Sequence, residues 1–219
     1  TTNDARDVWF VGFAPDLDGF AWVDPVIRSV MAGAMARMEK AGAVVEETCP
    51  DLTGLAEIYE TLRAMHWAAL PGRAAPEVQA RYKPTLVQNI ERGRALSAEQ
   101  IYDAQRVRVR LYHAMRALFE RFDVLAFPVM GTLAGPVEQE FPPEINGVQI
   151  TDYVDWLRFS YLSVVTGLPA LSMPCGFTPD GMPVGLQLIG SPRGEATLLR
   201  AAAVIEGELG LRMGPIDPR

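Results

Sequence analysis

The chain has 219 residues, 49% hydrophobic and 21% charged, with 27 acidic against 20 basic side chains and a formal net charge of −7. That makeup suits one large globular unit, or part of a larger one, with enough apolar residues for a sizeable core. Lys and Arg are scattered rather than gathered into the basic stripe a phosphate backbone needs, so no nucleic-acid partner is expected.

No apolar run approaches the roughly 20 residues that span a bilayer, and residues 1–7 are polar without a signal peptide's apolar core. A cytoplasmic protein with no membrane partner is expected. Cys49 and Cys175 fall in different elements and read as buried thiols of a reducing compartment rather than a disulfide.

In chain order, residues 8–13 form a short apolar strand. Asp24-Pro25 then supplies an N-cap carboxylate and a proline at the first helical position. Val26, Val30, Ala34 and Met38 recur at four-residue spacing, with Ile27, Met31 and Met35 beside them, and Gly42 stands where a C-terminal glycine cap belongs. Residues 43–48 make a second strand, completing a parallel βαβ unit with a right-handed crossover.

Over residues 52–69, Leu55, Ile58, Tyr59, Leu62 and Met65 trace one helical face, stopped by Pro71-Gly72. Ser97 to Gln100 is a capping-box pattern opening a long helix with Val107, Leu111, Met115, Leu118 and Phe122 inward. These two long helices are expected to cover one face of the sheet.

Residues 123–128 are a third strand, and 132–151 a loop with three prolines near an active-site mouth. Residues 153–165 read as a helix bearing Trp156, Phe159 and Leu162. After Gly167-Leu168-Pro169, the apolar strands 168–174 and 184–189 flank Thr-Pro-Asp-Gly-Met-Pro and form a hairpin. Residues 195–209 close the chain as an amphipathic helix.

The hairpin resembles the C-terminal part of the amidase signature family, in which Gly-Leu-Pro-Ala leads to a Pro-Cys-Gly strand end and then to Pro-Val-Gly-Leu-Gln. Gly167, Leu168, Pro169, Pro174, Gly176, Gly181, Pro183, Gly185, Leu186 and Gln187 match it. Residues 121–136 resemble the family's Tyr-Asp-(apolar)-Pro strand, at the expected distance from the hairpin. The resemblance covers most of the chain, more specifically after Arg121.

The resemblance implies a partial amidase-signature fold of α/β class: a mixed sheet covered by helices, with an N-terminal βαβ unit, long helices, and a C-terminal hairpin and helix. It also implies serine chemistry from a Gly/Ser-rich stretch, with a second serine and a lysine. No such stretch occurs here. None of the six serines (Ser29, Ser97, Ser160, Ser163, Ser172, Ser191) lies between glycines, and Lys40 and Lys83 are the only lysines. The family's missing residues lie N-terminal to those matched, and the chain opens on Thr1. Residues 1–219 are therefore read as a single region, the C-terminal portion of an amidase, with no catalytic residue of its own and inactive alone.

By the same resemblance the helix before Gly-Leu-Pro walls the acyl pocket, which makes Asp155, Trp156 and Phe159 the candidate substrate-binding residues. Their plainer readings are an exposed acid at Asp155 and an aromatic core stripe at Trp156 and Phe159. The expected partners are a small-molecule amide and the N-terminal half of the enzyme, with homo-oligomerisation left open. The family's amidotransferase branch has Asn-Leu-Ala-Gly where this chain has Val164-Val165-Thr166-Gly167, which favours a stand-alone amidase over a glutamine amidotransferase component. A non-catalytic interaction module is the alternative from another class.

Other chemistry finds less support. Cys175 beside a glycine could serve as a nucleophile, but His66 and His113 both lie within helices, and a small side chain packs well at a strand end. Two histidines and two cysteines without CxxC or HExxH offer no metal site, and no phosphate or dinucleotide loop is present, so no cofactor is expected. Residues 190–194 could hold an anion at a helix start but are more simply a βα turn.

Overall fold

The computed structural model describes residues 8–211. The polar run of residues 1–7 lies outside them. β1 (Phe10–Phe13), α1 (Pro25–Lys40) and β2 (Val44–Glu47) form the expected parallel unit, with Phe10 opposite Val44 and Phe13 opposite Glu47. α1 buries Ile27, Met31, Ala34, Met35 and Met38, a stripe wide enough to cover a sheet face. Asp24 precedes it in extended conformation but does not cap it. Its Oδ1 accepts instead from the backbone N–H of Asn146, at 3.1 Å.

α2 (Leu55–Ala69) begins three residues later than its apolar pattern, because Gly54 sits at φ +80°, outside helical geometry. The unassigned stretch after Pro71 is mostly helical: a 3₁₀ turn, then α3 (Pro76–Gln79) and α4 (Pro84–Arg94), each opening on a proline. Only Asn89 and Ile90 of α4 are buried, too few to leave a readable period. In α5 (Ala98–Leu118) the capping box forms as expected: Gln100 N donates to Ser97 Oγ at 3.1 Å, and Ser97 N to Gln100 Oε1 at 2.8 Å.

β3 (Val124–Pro128) is buried throughout. The following loop carries a small hairpin, β4 (Glu144–Ile145) and β5 (Val148–Gln149), around Asn146-Gly147, both at positive φ. α6 (Arg158–Thr166) starts later than residue 153. Val154 N donates to Asp152 Oδ1 at 3.0 Å, holding a turn there, and a 3₁₀ turn at Asp155–Leu157 leads into the helix. β6 (Ala170–Phe177) and β7 (Pro183–Gly190) pair antiparallel with an irregularity at Cys175, and α7 (Glu195–Leu209) follows.

The sheet order is β2-β1-β3-β7-β6, with β7 running opposite to the other four strands. β2 and β6 are its edges. α1 and α7 pack on one face: Cys175 of β6 meets Met31 of α1, and Gly190 of β7 lies against Leu198 of α7. α6 covers the other face, its Phe159 stacked on Phe127 of β3 with ring centroids 6.2 Å apart. α2 and α5 lie against α6 on that side, where Tyr59 stacks on Tyr161 at 3.6 Å. Full burial of such rings is worth about 1.5–3 kcal/mol each. The α6 layer stops short of the β6 edge, where Ala170 and Ser172 are exposed.

Candidate functional site

Beside that uncovered edge is an apolar cavity of about 550 Å3. Its walls are Met130 and Leu133 after β3, Trp156 before α6, Ser172 and Pro174 on β6, and Gly185 on β7. The loop after β3 is held in place by Gly131, whose carbonyl accepts from Asp24 N at 2.7 Å. A Cβ on Gly131 would overlap the carbonyl oxygen of Trp22, so only glycine allows this approach. Asp24 thus ties both the β3 loop and the β4–β5 hairpin tip to the start of α1.

Trp156 lines the cavity, and its Nε1 is buried with no acceptor among the described residues. Its ring meets Tyr153 edge-on at 6.2 Å. Asp155 is turned to Arg158, with Oδ1 2.8 Å from Nη2 and 3.3 Å from Nε. Arg158 in turn lies 4.1 Å from the Trp22 ring centroid and donates to the Phe20 carbonyl at 3.1 Å. Phe159 is 1% exposed, a core residue on Phe127 rather than part of the cavity wall. The structure therefore brings Trp156 to the cavity and leaves Asp155 and Phe159 behind it.

Sequence reasoning overlooked Met130, Leu133, Ser172 and Pro174. Met130, Leu133 and Pro174 give no chemical signal, and Ser172 is visible only as one serine among six. Among the described residues no lysine or histidine lines the cavity beside Ser172 to take its proton.

Cys175 is packed between Met31 Sδ at 3.5 Å and the Val184 carbonyl at 3.4 Å, and burial pushes its thiol up to about 11. Cys49 is pushed up to about 12, by burial first and then by the nearby Asp18 and Asp16 carboxylates. Both are free thiols and neutral at physiological pH. Residues 191–194 form the turn into α7, with Gly194 N donating to Ser191 O at 2.9 Å. Among the described residues no three of His, Cys, Asp and Glu gather as a metal cluster, and no helix is long and apolar enough to cross a membrane.

A family model for amidases matches residues 11–199. The chain belongs to the amidase signature family. It is 28% identical over 206 residues to an acylamidase of Rhodococcus erythropolis, covering 90% of this chain and 41% of that protein. It is also 31% identical over 210 residues to a glutamyl-tRNA(Gln) amidotransferase component of Moorella thermoacetica, covering 85% of this chain and 42% of that protein. In fold it is similar to a bacterial aryl acylamidase of the amidase signature family, with TM-score 0.78 and 24% identity over 91% of this chain and 43% of that one. The chain thus spans about two fifths of the length of these amidase relatives.

Proposed function

We propose that this chain supplies the substrate wall and the bracing sheet of a serine amidase whose nucleophile lies in residues outside these 219. In that reaction a serine Oγ attacks the amide carbon, and the oxyanion collapses to expel the amine, which leaves with a proton. Water then cleaves the acyl ester to give the acid and the free serine. The chain's part is to hold the acyl group against Trp156, Met130 and Leu133 and to keep the sheet in register. A misplacement of about 1 Å in such a support costs on the order of a hundredfold in rate.

The apolar cavity at the open β6 edge carries this reading. It is lined by apolar side chains from the loop after β3, β6 and β7, and among the described residues no lysine or histidine lines it beside Ser172. A buried indole N–H without an acceptor costs about 1–3 kcal/mol. A small rotation of Trp156 toward a substrate oxygen would relieve it.

Labelling with a serine-reactive fluorophosphonate, read by intact mass, tests the proposal on this chain and on the full-length product of its gene. Label on the longer product alone is the expected result; label on this chain would sink the proposal and direct attention to Ser172. The 31% identity to an amidotransferase component supports a second reading, as part of an ammonia-transferring enzyme. Ammonia release by the longer product from glutamine, but not from simple aryl or alkyl amides, would favour it.

A further inference from the structure

A second cavity, of about 400 Å3, lies between α2, α4 and the segment around Glu140 and Tyr153. Three cationic side chains line it: Arg63, Arg81 and Lys83. Among the described residues its one carboxylate, Glu140, lies 3.7 Å from Lys83 Nζ and accepts from Thr85 Oγ1 at 2.8 Å. Arg63 and Arg81 make no side-chain hydrogen bond or ion pair among the described residues, and Arg63 Nε is buried without an acceptor. The lining therefore carries more positive than negative charge, although the Asp152 carboxylate beyond it interacts with the Arg63 charge.

The remaining wall is aromatic. The Arg63 guanidinium lies 5.4 Å from the Trp67 ring centroid and 5.7 Å from that of Tyr153, and Tyr82 and Leu86 complete the lining. A planar cation between two rings presents its fork of donors in a fixed orientation, the geometry that pairs with a carboxylate. The volume is that of a small-molecule site.

We propose that this cavity binds a small aromatic carboxylate, its carboxylate held by Arg63 and Arg81 and its ring laid against Trp67, Tyr82 and Tyr153. The Glu140 charge in the lining disfavours a dianion, so a monoanionic carboxylate fits better than a phosphate. The cavity shares no lining residue with the one beside β6, and Tyr153 of its wall meets Trp156 edge-on. The proposal does not rest on the amidase reading.

Direct binding to this chain, by calorimetry or ligand-observed NMR, tests it with benzoate, its neutral counterpart benzamide, and inorganic phosphate. Benzoate is expected to bind at least about tenfold more tightly than either of the others. Arg63→Met keeps an unbranched apolar stem between the rings and should weaken benzoate about tenfold or more while leaving benzamide unchanged. Arg81→Gln with Lys83→Gln, at exposed positions that folding tolerates, should weaken benzoate as well. Equal binding of benzoate and benzamide, or benzoate binding that survives the Arg81/Lys83 double variant, would overturn the proposal. Tighter binding of phosphate than of benzoate would overturn the choice of ligand.

Discussion

Gln187 on β7 donates from Nε2 to the carbonyl oxygen of Phe159 in α6 at 2.8 Å, joining the central sheet to the helix that covers it. Gln187 ends the Pro-Val-Gly-Leu-Gln motif and stands opposite Phe127 in the strand ladder, so one residue joins β7 to β3 through the backbone and to α6 through its side chain. Gln187→Met keeps the length and apolar stem but deletes the donor. Its unfolding free energy is expected to fall by about 0.5–1.5 kcal/mol in urea titrations. An unchanged midpoint would show that the bond contributes nothing to docking α6.

Gly131→Ala drives a methyl group into the Trp22 carbonyl oxygen, a backbone atom that cannot swing aside. The loop after β3 must shift, breaking the bond from Asp24 N to Gly131 O and opening the cavity beside Trp156. Destabilisation of about 1–3 kcal/mol is expected, along with altered tryptophan fluorescence. A spectrum and midpoint identical to the parent's would contradict the close approach.

Asp152 bears on acid stability. Burial alone would raise its carboxyl, but the Val154 N–H and the Arg92 guanidinium, 2.7 Å away, more than offset this and hold it below its ordinary value of 3.8. A carboxyl depressed by folding stabilises the native state above its unfolded value. That contribution is lost as pH falls through the lower folded value. The stability gap between the parent and Asp152→Asn should therefore be constant near neutrality and begin to close only below about pH 4. A gap that closes between pH 5 and 7 would point to another group.

Cys49 and Cys175 should be slow to alkylate. With thiols at about 12 and 11, almost no thiolate is present at pH 8 in the folded chain. Iodoacetamide at pH 8 should modify both only after denaturant is added, with mass spectrometry as the readout. Rapid native labelling of Cys175 would revive it as a nucleophile.

Much of this architecture is legible in the residues because it is written locally. The i, i+4 stripe of α1, the Ser97/Gln100 box and the Thr-Pro-Asp-Gly-Met-Pro turn each act within a few positions, and each appears in the fold. Helix α4 was not legible, since only Asn89 and Ile90 turn inward and the helix is held by packing against α2. The start of α6 was misplaced because an Asp152 side-chain bond, invisible to periodicity, turns the chain first. Asp24 reads as a helix cap, yet a hairpin tip 122 residues away takes its carboxylate.

The sequence by itself determined the alternation of strands and helices and the hairpin, through short-range pattern and turn chemistry, and the family through the motif resemblance that the hairpin carries. Only the tertiary structure decided that β7 inserts between β3 and β6, that α1 and α7 take one sheet face and α6 the other, and that Trp156 meets Ser172 across a cavity while Phe159 turns into the core. Those outcomes depend on strand register and on side-chain packing between segments far apart in the chain, where no local period records which face will be covered.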